Sequence, residues 1–267
     1  MKFRPNDRFY RLIVRCGQLL IRLFRVPVRV TGLENMPRVT VRRGRHVVQP
    51  GAGAVVAITH FGLVDFVFAE AALFRHTRVH ARFMITKKRA GGAFMEAVCE
   101  LCDHVVVDRS RGDAAYREAV TKLRRGEYLA LFAEGSTNLS FQVRPLKTGA
   151  VRMAAETGTP IIPVSVFGAH RILTRGRRTS VRAAWRTPVH VHFGEPITVA
   201  ADEDVRLASQ RLRTVLQDGI DIGIAQYPEP LPAGAWWVPA ALGGGARTID
   251  EDAEVYRQER SRYGETG

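Results

Sequence analysis

Cysteine is scarce in this chain. Cys16, Cys99 and Cys102 are the only three in 267 residues, too few for a disulfide framework, and this implies a reducing compartment. Cys99 and Cys102 have the spacing of a redox or zinc pair. No second Cys pair accompanies them and the stretch follows a helical pattern, so they read as structural. Long apolar runs are also missing, and none reaches the roughly 18 residues that suggest a membrane span, so no transmembrane helix is expected. The basic N-terminus is not a signal-peptide core, because Arg interrupts its apolar residues every three or four positions. There is no G-x-S-x-G elbow, no P-loop and no G-x-G-x-x-G, the signatures of a nucleophilic serine, a nucleotide cradle and a dinucleotide fold.

Acidic residues are in deficit: 26 Asp+Glu stand against 40 Lys+Arg, a formal charge of +14. Such a balance attracts an anionic partner, whether nucleic acid, anionic lipid or a phosphorylated substrate. Aromatics make up only 8%. A nucleic-acid binder would interleave them with its basic groups, so that class is disfavoured. Hydrophobic content of 46% supports a substantial core.

What is present is organised around Ala54 to Ala69, AVVAITHFGLVDFVFA. Ala54 to Ile58 reads as a buried strand. His60 and Asp65 are the only ionisable groups in the sixteen residues, and each is costly to bury unless paired. In a continuous helix, positions five apart are turned by roughly 140° and do not face each other. His60 is therefore expected at the strand end or helix cap, with Asp65 in the second turn of the following helix. A strand-to-helix junction is where open α/β sheets place their sites. From this stretch alone, a structural His–Asp pair and a general base held by a carboxylate are equally good readings.

Residues 7–25 are the clearest periodic segment. Phe9, Leu12, Ile13, Cys16, Leu19, Leu20, Leu23 and Phe24 fall on one face, and Arg8, Arg11, Arg15, Gln18, Arg22 and Arg25 on the other. A basic amphipathic helix suits an anionic membrane surface, with Arg near the lipid phosphates. The alternative is an ordinary helix packed on its own domain. Val26 to Val30 is a short strand candidate, and 38–53 reads as a loop or hairpin. Strands are then expected at 54–59, 79–85, 104–108, 127–133, 160–167 and 188–193. Helices are expected at 61–74, 92–102, 113–125, 148–157 and 203–218. The alternation implies an α/β fold, a mixed sheet flanked by helices and preceded by an N-terminal amphipathic helical segment. The expected organisation is a membrane-docking helix over 1–27, an α/β domain over 28–224 and a Pro/Gly/Trp-containing extension over 225–267.

Further polar clusters follow strand ends. Asp108-Arg109 closes one strand, and Arg109 could grip a phosphate by two parallel hydrogen bonds. Alone, an Arg109–Asp108 pair or a solvent-facing Arg is the better reading. Glu134-Gly135-Ser136-Thr137-Asn138 closes another. Gly135 allows close backbone approach, and the residues after it supply donors suited to an anion. Lys147 comes just before the next helix. Pro160 and Pro163 bracket a strand start and suggest an edge or a shaped wall. His190 and His192 alternate on one strand face without a companion carboxylate or thiolate, so they read as a solvent-facing pair rather than a metal site.

The order of these clusters resembles the glycerolipid acyltransferase family over about residues 28–200. Thr59-His60-Phe-Gly-Leu-Val-Asp65 is similar to its catalytic motif of a histidine, four residues and an aspartate. Lys87 precedes a segment similar to the second block, which closes on Val107-Asp108-Arg109. Phe132-Ala-Glu134-Gly135-Ser136-Thr137 resembles the third block, with Leu146-Lys147-Thr148-Gly149-Ala150 as its sequel, and Thr159-Pro160-Ile-Ile-Pro163-Val164 the fourth. The tail, Trp236-Trp237-Val-Pro and Leu242-Gly-Gly-Gly-Ala246, is similar to tails of actinobacterial members. The family's frequent Arg after Gly-Thr is Thr137 here.

The resemblance implies that a fatty acyl group moves from a thioester, acyl-coenzyme A or acyl-carrier protein, to the free hydroxyl of a lysophospholipid. The first candidate acceptor is 1-acylglycerol-3-phosphate, giving phosphatidic acid. It implies His60 and Asp65 as catalytic pair and Lys87, Arg109, Glu134, Gly135, Ser136, Thr137 and Lys147 as substrate-binding residues. No metal, cofactor or nucleic acid is implied. The expected place is the cytoplasmic face of the cell membrane, held peripherally. The competing readings are a thioesterase or lysolipid hydrolase, and a non-enzymatic basic module binding membrane or nucleic acid.

Overall fold

The structure, a computed structural model, describes residues 6–36, 41–42, 45–46, 51–86, 92–108, 112–178 and 180–262. Its centre is strand β4, Ala54–Ile58, in which every residue is buried. Side chains alternate across a strand, and here both sides are apolar. Val55 and Ala57 join one core cluster with Leu123, Met153, Leu212 and Ile220. Ala54, Val56 and Ile58 join the other with Phe68 and Leu73. A strand covered on both faces reads as a continuous apolar run rather than an alternating one.

Strands β1 (Val28–Thr31), β4, β5 (Ala81–Thr86), β6 (Val105–Val107), β7 (Tyr128–Phe132), β8 (Ile161–Phe167) and β9 (Val189–Phe193) form one seven-stranded sheet. Its order is β1-β9-β8-β4-β7-β5-β6. The pairs β4–β7, β4–β8, β5–β7 and β5–β6 are parallel. β9 runs antiparallel to β8 and carries β1 parallel to itself at the edge. The sheet is therefore mixed, and helices cover both faces, as the sequence pattern implies. β2 (Val41–Arg42) and β3 (Arg45–His46) pair separately as a small antiparallel ribbon. The parallel strands all point their carboxyl ends at one edge, and the polar clusters stand there.

The α-helices are α1 (Asp7–Leu23), α2 (Asp65–Thr77), α3 (Ala93–Leu101), α4 (Gly112–Arg124), α5 (Gly149–Thr157), α6 (Ala169–Ile172), α7 (Val181–Ala184), α8 (Val205–Ala225) and α9 (Ile249–Arg262), with short 3-10 turns at Leu33–Asn35 and Ala240–Leu242. Four expectations need correction. First, α2 begins at Asp65, not residue 61. Residues 61–64 form a turn instead, because the Asp65 carboxylate takes the Phe61 and Gly62 amides.

Second, α8 runs on to Ala225, beyond the expected end at 218. Gly219 and Gly223 weaken a helix in isolation, but here they let it press on the sheet. A Cβ on Gly219 would lie 2.5 Å from the Ser165 hydroxyl, and one on Gly223 would lie 3.1 Å from His190 Nδ1. That contact overturns the third expectation. His190 is buried and His192 half-buried beneath α8, and both reach the Thr31 hydroxyl, at 3.3 and 2.9 Å. Burial pushes the His190 imidazole down to about 4 from an ordinary 6.5.

The linkage follows from the sign of that shift. The unfolded chain binds the extra proton first, so the stability tied to this ring is complete above about 6.5 and is lost as pH falls toward 4. A His190→Gln chain should therefore show a shallower loss of stability than the parent between pH 7 and 4 in urea titrations.

Fourth, β8 is central rather than an edge. Pro163 is tolerated because it lies where β9 has just ended. Its carbonyl accepts from Gly194, the β8–β9 ladder begins at Val164, and beyond Pro163 pairing resumes as one bridge between Ile161 and Ile197. Proline thus sits at a break in the pairing, where its missing N–H is tolerated.

The N-terminal helix divides its surface three ways. Asn6 caps it by accepting from the Arg8 and Phe9 amides. Tyr10 and Val14 are buried, and Phe9, Ile13 and Ile21 pack beside core residues. The Tyr10 hydroxyl donates to the Ala81 carbonyl at 2.6 Å. Leu12, Leu19, Leu20 and Leu23 stay more than half exposed. The single apolar face expected from periodicity is thus split between a docked stripe and an outward one. Cys102 lies buried against Tyr10 and Phe74, with its thiol pushed up to about 12 by burial. It is a packing residue in an inert state.

Candidate active site

His60 stands two residues beyond β4, half-buried at the carboxyl edge of the sheet. Its ring stacks on Phe132 at the end of β7, with centroids 3.7 Å apart and an interplanar angle of 11°. Its amide donates to Glu134 Oε1 at 3.1 Å, and its carbonyl accepts from the Asn138 amide at 2.7 Å. Backbone and ring are therefore both fixed by the strand–turn segment that follows β7.

Asp65 is fully buried. Its Oδ2 accepts from Phe61 N and Gly62 N at 2.7 Å each and lies 3.9 Å from His60 Nδ1. That last distance is an ion-pair contact rather than a hydrogen bond. Burial pushes the Asp65 carboxyl above its ordinary value, while His60 and the two amides pull it back. Gly62 is required at this turn. A Cβ there would lie 2.8 Å from Asp65 Oδ1 and 2.9 Å from the His170 amide nitrogen.

The other ring nitrogen of His60, Nε2, lies 3.2 Å from the Thr137 hydroxyl. One nitrogen thus faces a buried carboxylate and the other faces the residue at the tip of the Glu134–Asn138 turn. Gly135 makes this turn possible with φ of +76°, a conformation that L side chains avoid.

Glu134 is buried and its oxygens are committed inside the protein. Oε1 holds the His60 amide, and Oε2 holds the Asn138 side-chain amide and the Arg144 amide. Burial pushes its carboxyl up, while Arg144 and Asn138 oppose that. Arg144 is buried too. It meets Glu134 Oε2 at 3.5 Å, Asp252 Oδ2 at 2.9 Å and Ser136 Oγ at 2.9 Å. Lys147 is exposed, and its side chain passes the α face of Gly135 with its ammonium 5.9 Å from the Tyr256 ring. Lys87 and Arg109 follow β5 and β6 in the sequence but lie outside the described residues. Among the described residues no cluster of three His, Cys, Asp or Glu could hold a metal ion.

The structure therefore gathers His60, Asp65, Glu134, Gly135, Ser136, Thr137 and Lys147 around one edge of the sheet. It gives Asn138 its partner and adds Asp252, which sequence reasoning did not single out. Asn138 ties the turn to the His60 carbonyl, and Asp252, from α9, neutralises Arg144. Asn138 reads from sequence as a donor for an anion, and the structure commits it to His60 and Glu134 inside the protein. Asp252 carried no signal, being over a hundred positions away from Arg144 in a charged tail.

The chain belongs to the acyltransferase family, whose profile matches residues 27–167. It is 23% identical over 183 residues to a 1-acyl-sn-glycerol-3-phosphate acyltransferase of Borreliella burgdorferi, covering 66% of this chain and 65% of that one. A protein of the same name from Limnanthes douglasii is 23% identical over 180 residues, covering 66% of this chain and 57% of that one. The chain thus spans less than two thirds of these relatives. The crystal structure of the 1-acyl-sn-glycerophosphate acyltransferase of Thermotoga maritima has the same fold, with a TM-score of 0.62 and 21% identity over 82% of this chain and 81% of that one.

Proposed function

We propose that this protein transfers a fatty acyl group from a thioester to the free hydroxyl of a lysophospholipid, with 1-acylglycerol-3-phosphate as first candidate and His60 as general base. The observation that carries this reading is the two-sided placement of the His60 ring, between buried Asp65 and the Thr137 tip. His60 Nε2 takes the proton of the acceptor hydroxyl as its oxygen attacks the thioester carbonyl. The imidazolium that forms draws toward Asp65, whose contact tightens as charge develops. The tetrahedral intermediate collapses, the C–S bond breaks, and the imidazolium returns the proton to the departing thiolate. Ester and thiol are the products, and no acyl-enzyme forms. The name shared by the relatives supports phosphatidic acid as product. The direct test offers labelled acyl-coenzyme A with a panel of lysolipids and identifies products by mass spectrometry. Acyl release that needs no acceptor would make the protein a thioesterase instead.

For the acceptor phosphate, Lys147 is the cation best placed among the described residues, because Arg144 is neutralised internally and Thr137 is uncharged. Lys87 and Arg109 keep the role that the family resemblance implies. Lys147→Ala should raise the acceptor KM about tenfold, close to 1.4 kcal/mol, and leave the donor KM unchanged. An unchanged acceptor KM would remove Lys147 from the site.

The protein is placed peripherally on an anionic membrane through α1. Support comes from the outward leucines beside a stripe of exposed Arg8, Arg15 and Arg22. No helix among the described residues is long and apolar enough to cross a membrane. Exposed Val181 and Trp185 adjoin the helix end, where Arg25 lies 5.6 Å over the Trp185 ring. Near an anionic surface each Arg contributes about 1 kcal/mol at low salt. Changing Arg8, Arg15 and Arg22 to Gln should therefore cut cosedimentation with phosphatidylglycerol vesicles by more than tenfold, and high salt should do the same to the parent. Unchanged binding would return α1 to a purely structural role.

A further inference from the structure

Between Glu156 and Glu195 the chain has no acidic residue, yet it carries Arg171, Arg175, Arg177, Arg178, Arg182 and Arg186. The structure gathers part of this run around a cavity of about 390 Å³, lined by His170, Arg171, Thr174, Arg177, Arg178 and Trp236 among others. That volume lies within the roughly 300–1,000 Å³ of small-molecule and cofactor sites. No lining residue is acidic. Arg171 is held by Glu229 at 2.6 Å and by the Tyr227 hydroxyl at 2.8 Å, so its charge is largely answered. Arg177 and Arg178 are exposed at the rim, and no carboxylate pairs with them among the described residues. Arg177 lies 4.1 Å over the Trp236 ring.

The cavity wall is continuous with the catalytic turn. Thr174 donates its hydroxyl proton to the Phe61 carbonyl at 2.7 Å, and the Leu63 amide donates to the Leu173 carbonyl at 2.8 Å. His170 is fully buried. Its Nε2 lies 3.0 Å from the Trp237 carbonyl, so Nε2 carries the proton and Nδ1 is left as an acceptor with no protein partner. Burial holds the ring near 3, well below its ordinary value, so it stays neutral beside the arginines.

The site thus has two flanks. The Glu134–Thr137 turn and Lys147 lie on one side of the His60 ring, and the Phe61–Val64 turn with the arginine cavity lies on the other. Two substrates must meet at Nε2, and the two flanks differ in charge. A single phosphate monoester needs one or two cations. Two guanidinium groups without a carboxylate among the described residues, and a third beside them, suit a ligand with several phosphates.

We propose that this cavity seats the phosphorylated nucleotide end of the acyl donor, so that the donor is acyl-coenzyme A rather than an acyl-carrier protein. The inference rests on the acyl-transfer reading above. The pantetheine arm would run from the arginines past Thr174 and the Phe61–Val64 turn and present the thioester to His60. Coenzyme A carries a diphosphate and a separate ribose phosphate, which match a spread of cations better than a lysolipid head group does. A carrier protein delivers the same arm without the adenine nucleotide, and the cavity would then have no ligand.

The test uses adenosine 3′,5′-bisphosphate, which has the nucleotide end but neither arm nor thioester. Calorimetry should detect its binding to the parent, and kinetics should show competition with acyl-coenzyme A but not with the acceptor. Arg177→Ala/Arg178→Ala, both at exposed positions, should weaken this binding and raise the acyl-coenzyme A KM by at least about tenfold. The acceptor KM should not move. Three results overturn the inference: no calorimetric binding, a donor KM unchanged in the double variant, or a rise in acceptor KM in its place, which would assign the cavity to the lysolipid head group. Transfer from acyl-carrier protein but not from acyl-coenzyme A would overturn it as well. Bisphosphate binding is read without any acceptor, so failure of acyl transfer itself would show separately.

Discussion

Folded His60→Ala protein should transfer acyl groups about 10²–10⁴-fold more slowly than the parent, the share usually carried by acid–base catalysis. The ring is mostly buried, 12% exposed, and stacks on Phe132. Its loss should therefore keep the circular dichroism spectrum and lower the urea midpoint modestly, leaving folded protein to assay. Asp65→Asn should be milder. An amide oxygen can still accept from Phe61 N and Gly62 N, so the turn persists while the negative charge that favours the imidazolium is lost. The loss in both variants should appear in kcat at saturating donor and acceptor, because the proton moves only in the transition state. Turnover of His60→Ala near that of the parent would remove the ring from the chemistry. It would return the His–Asp pair to the structural reading that the stretch alone left open.

Arg144→Met should destabilise the fold by about 3–5 kcal/mol, the usual cost of breaking a buried ion pair from one side. The guanidinium answers two carboxylates, Glu134 and Asp252, that are each almost wholly buried. Removing it leaves Glu134 without a cation and Asp252 with only Arg247, at 3.6 Å, and the Leu139 amide. Arg144→Lys should recover only part of the loss. One ammonium cannot span Asp252 Oδ2, Ser136 Oγ and the Ser136 carbonyl, which the fork reaches at 2.9, 2.9 and 3.0 Å. Activity should fall along with stability, since the same arginine braces the turn that presents Thr137 to His60. Urea denaturation of the three proteins measures the first effect, and activity well below the unfolding range measures the second. A parental midpoint for Arg144→Met would mean that Glu134 and Asp252 take up protons at little cost, and the brace would not be electrostatic.

The strands of this protein were legible because their apolar runs are short and end in polar residues. β4, β7 and β8 lie within one or two residues of the segments read from sequence. The site was legible for the same reason: His60, Glu134 and Thr137 each follow the carboxyl end of a strand. Misreadings came from residues whose meaning depends on neighbours distant in sequence. Gly219 and Gly223 carry no local sign that α8 continues, since what they accommodate, Ser165 and His190, comes from β8 and β9. Pro163 looks like an edge residue until β9 is seen to end beside it. On α1, a period of 3.6 identified an apolar surface but could not tell which part of it would be covered.

By itself the sequence determined that the chain folds as helices on a mixed sheet, that a histidine and an aspartate flank one strand-to-helix turn, and that the molecule is strongly basic. These follow from local pattern and composition, which act over a few residues at a time. Only the tertiary structure decided that Arg144 is an internal brace. It alone brought Asp252 from α9 to that arginine, and it alone closed His170, Arg177 and Trp236 around a common cavity. The physical reason is common to all three. The charge state and availability of a side chain are set by what desolvates and pairs it, and those partners come from elements far along the chain.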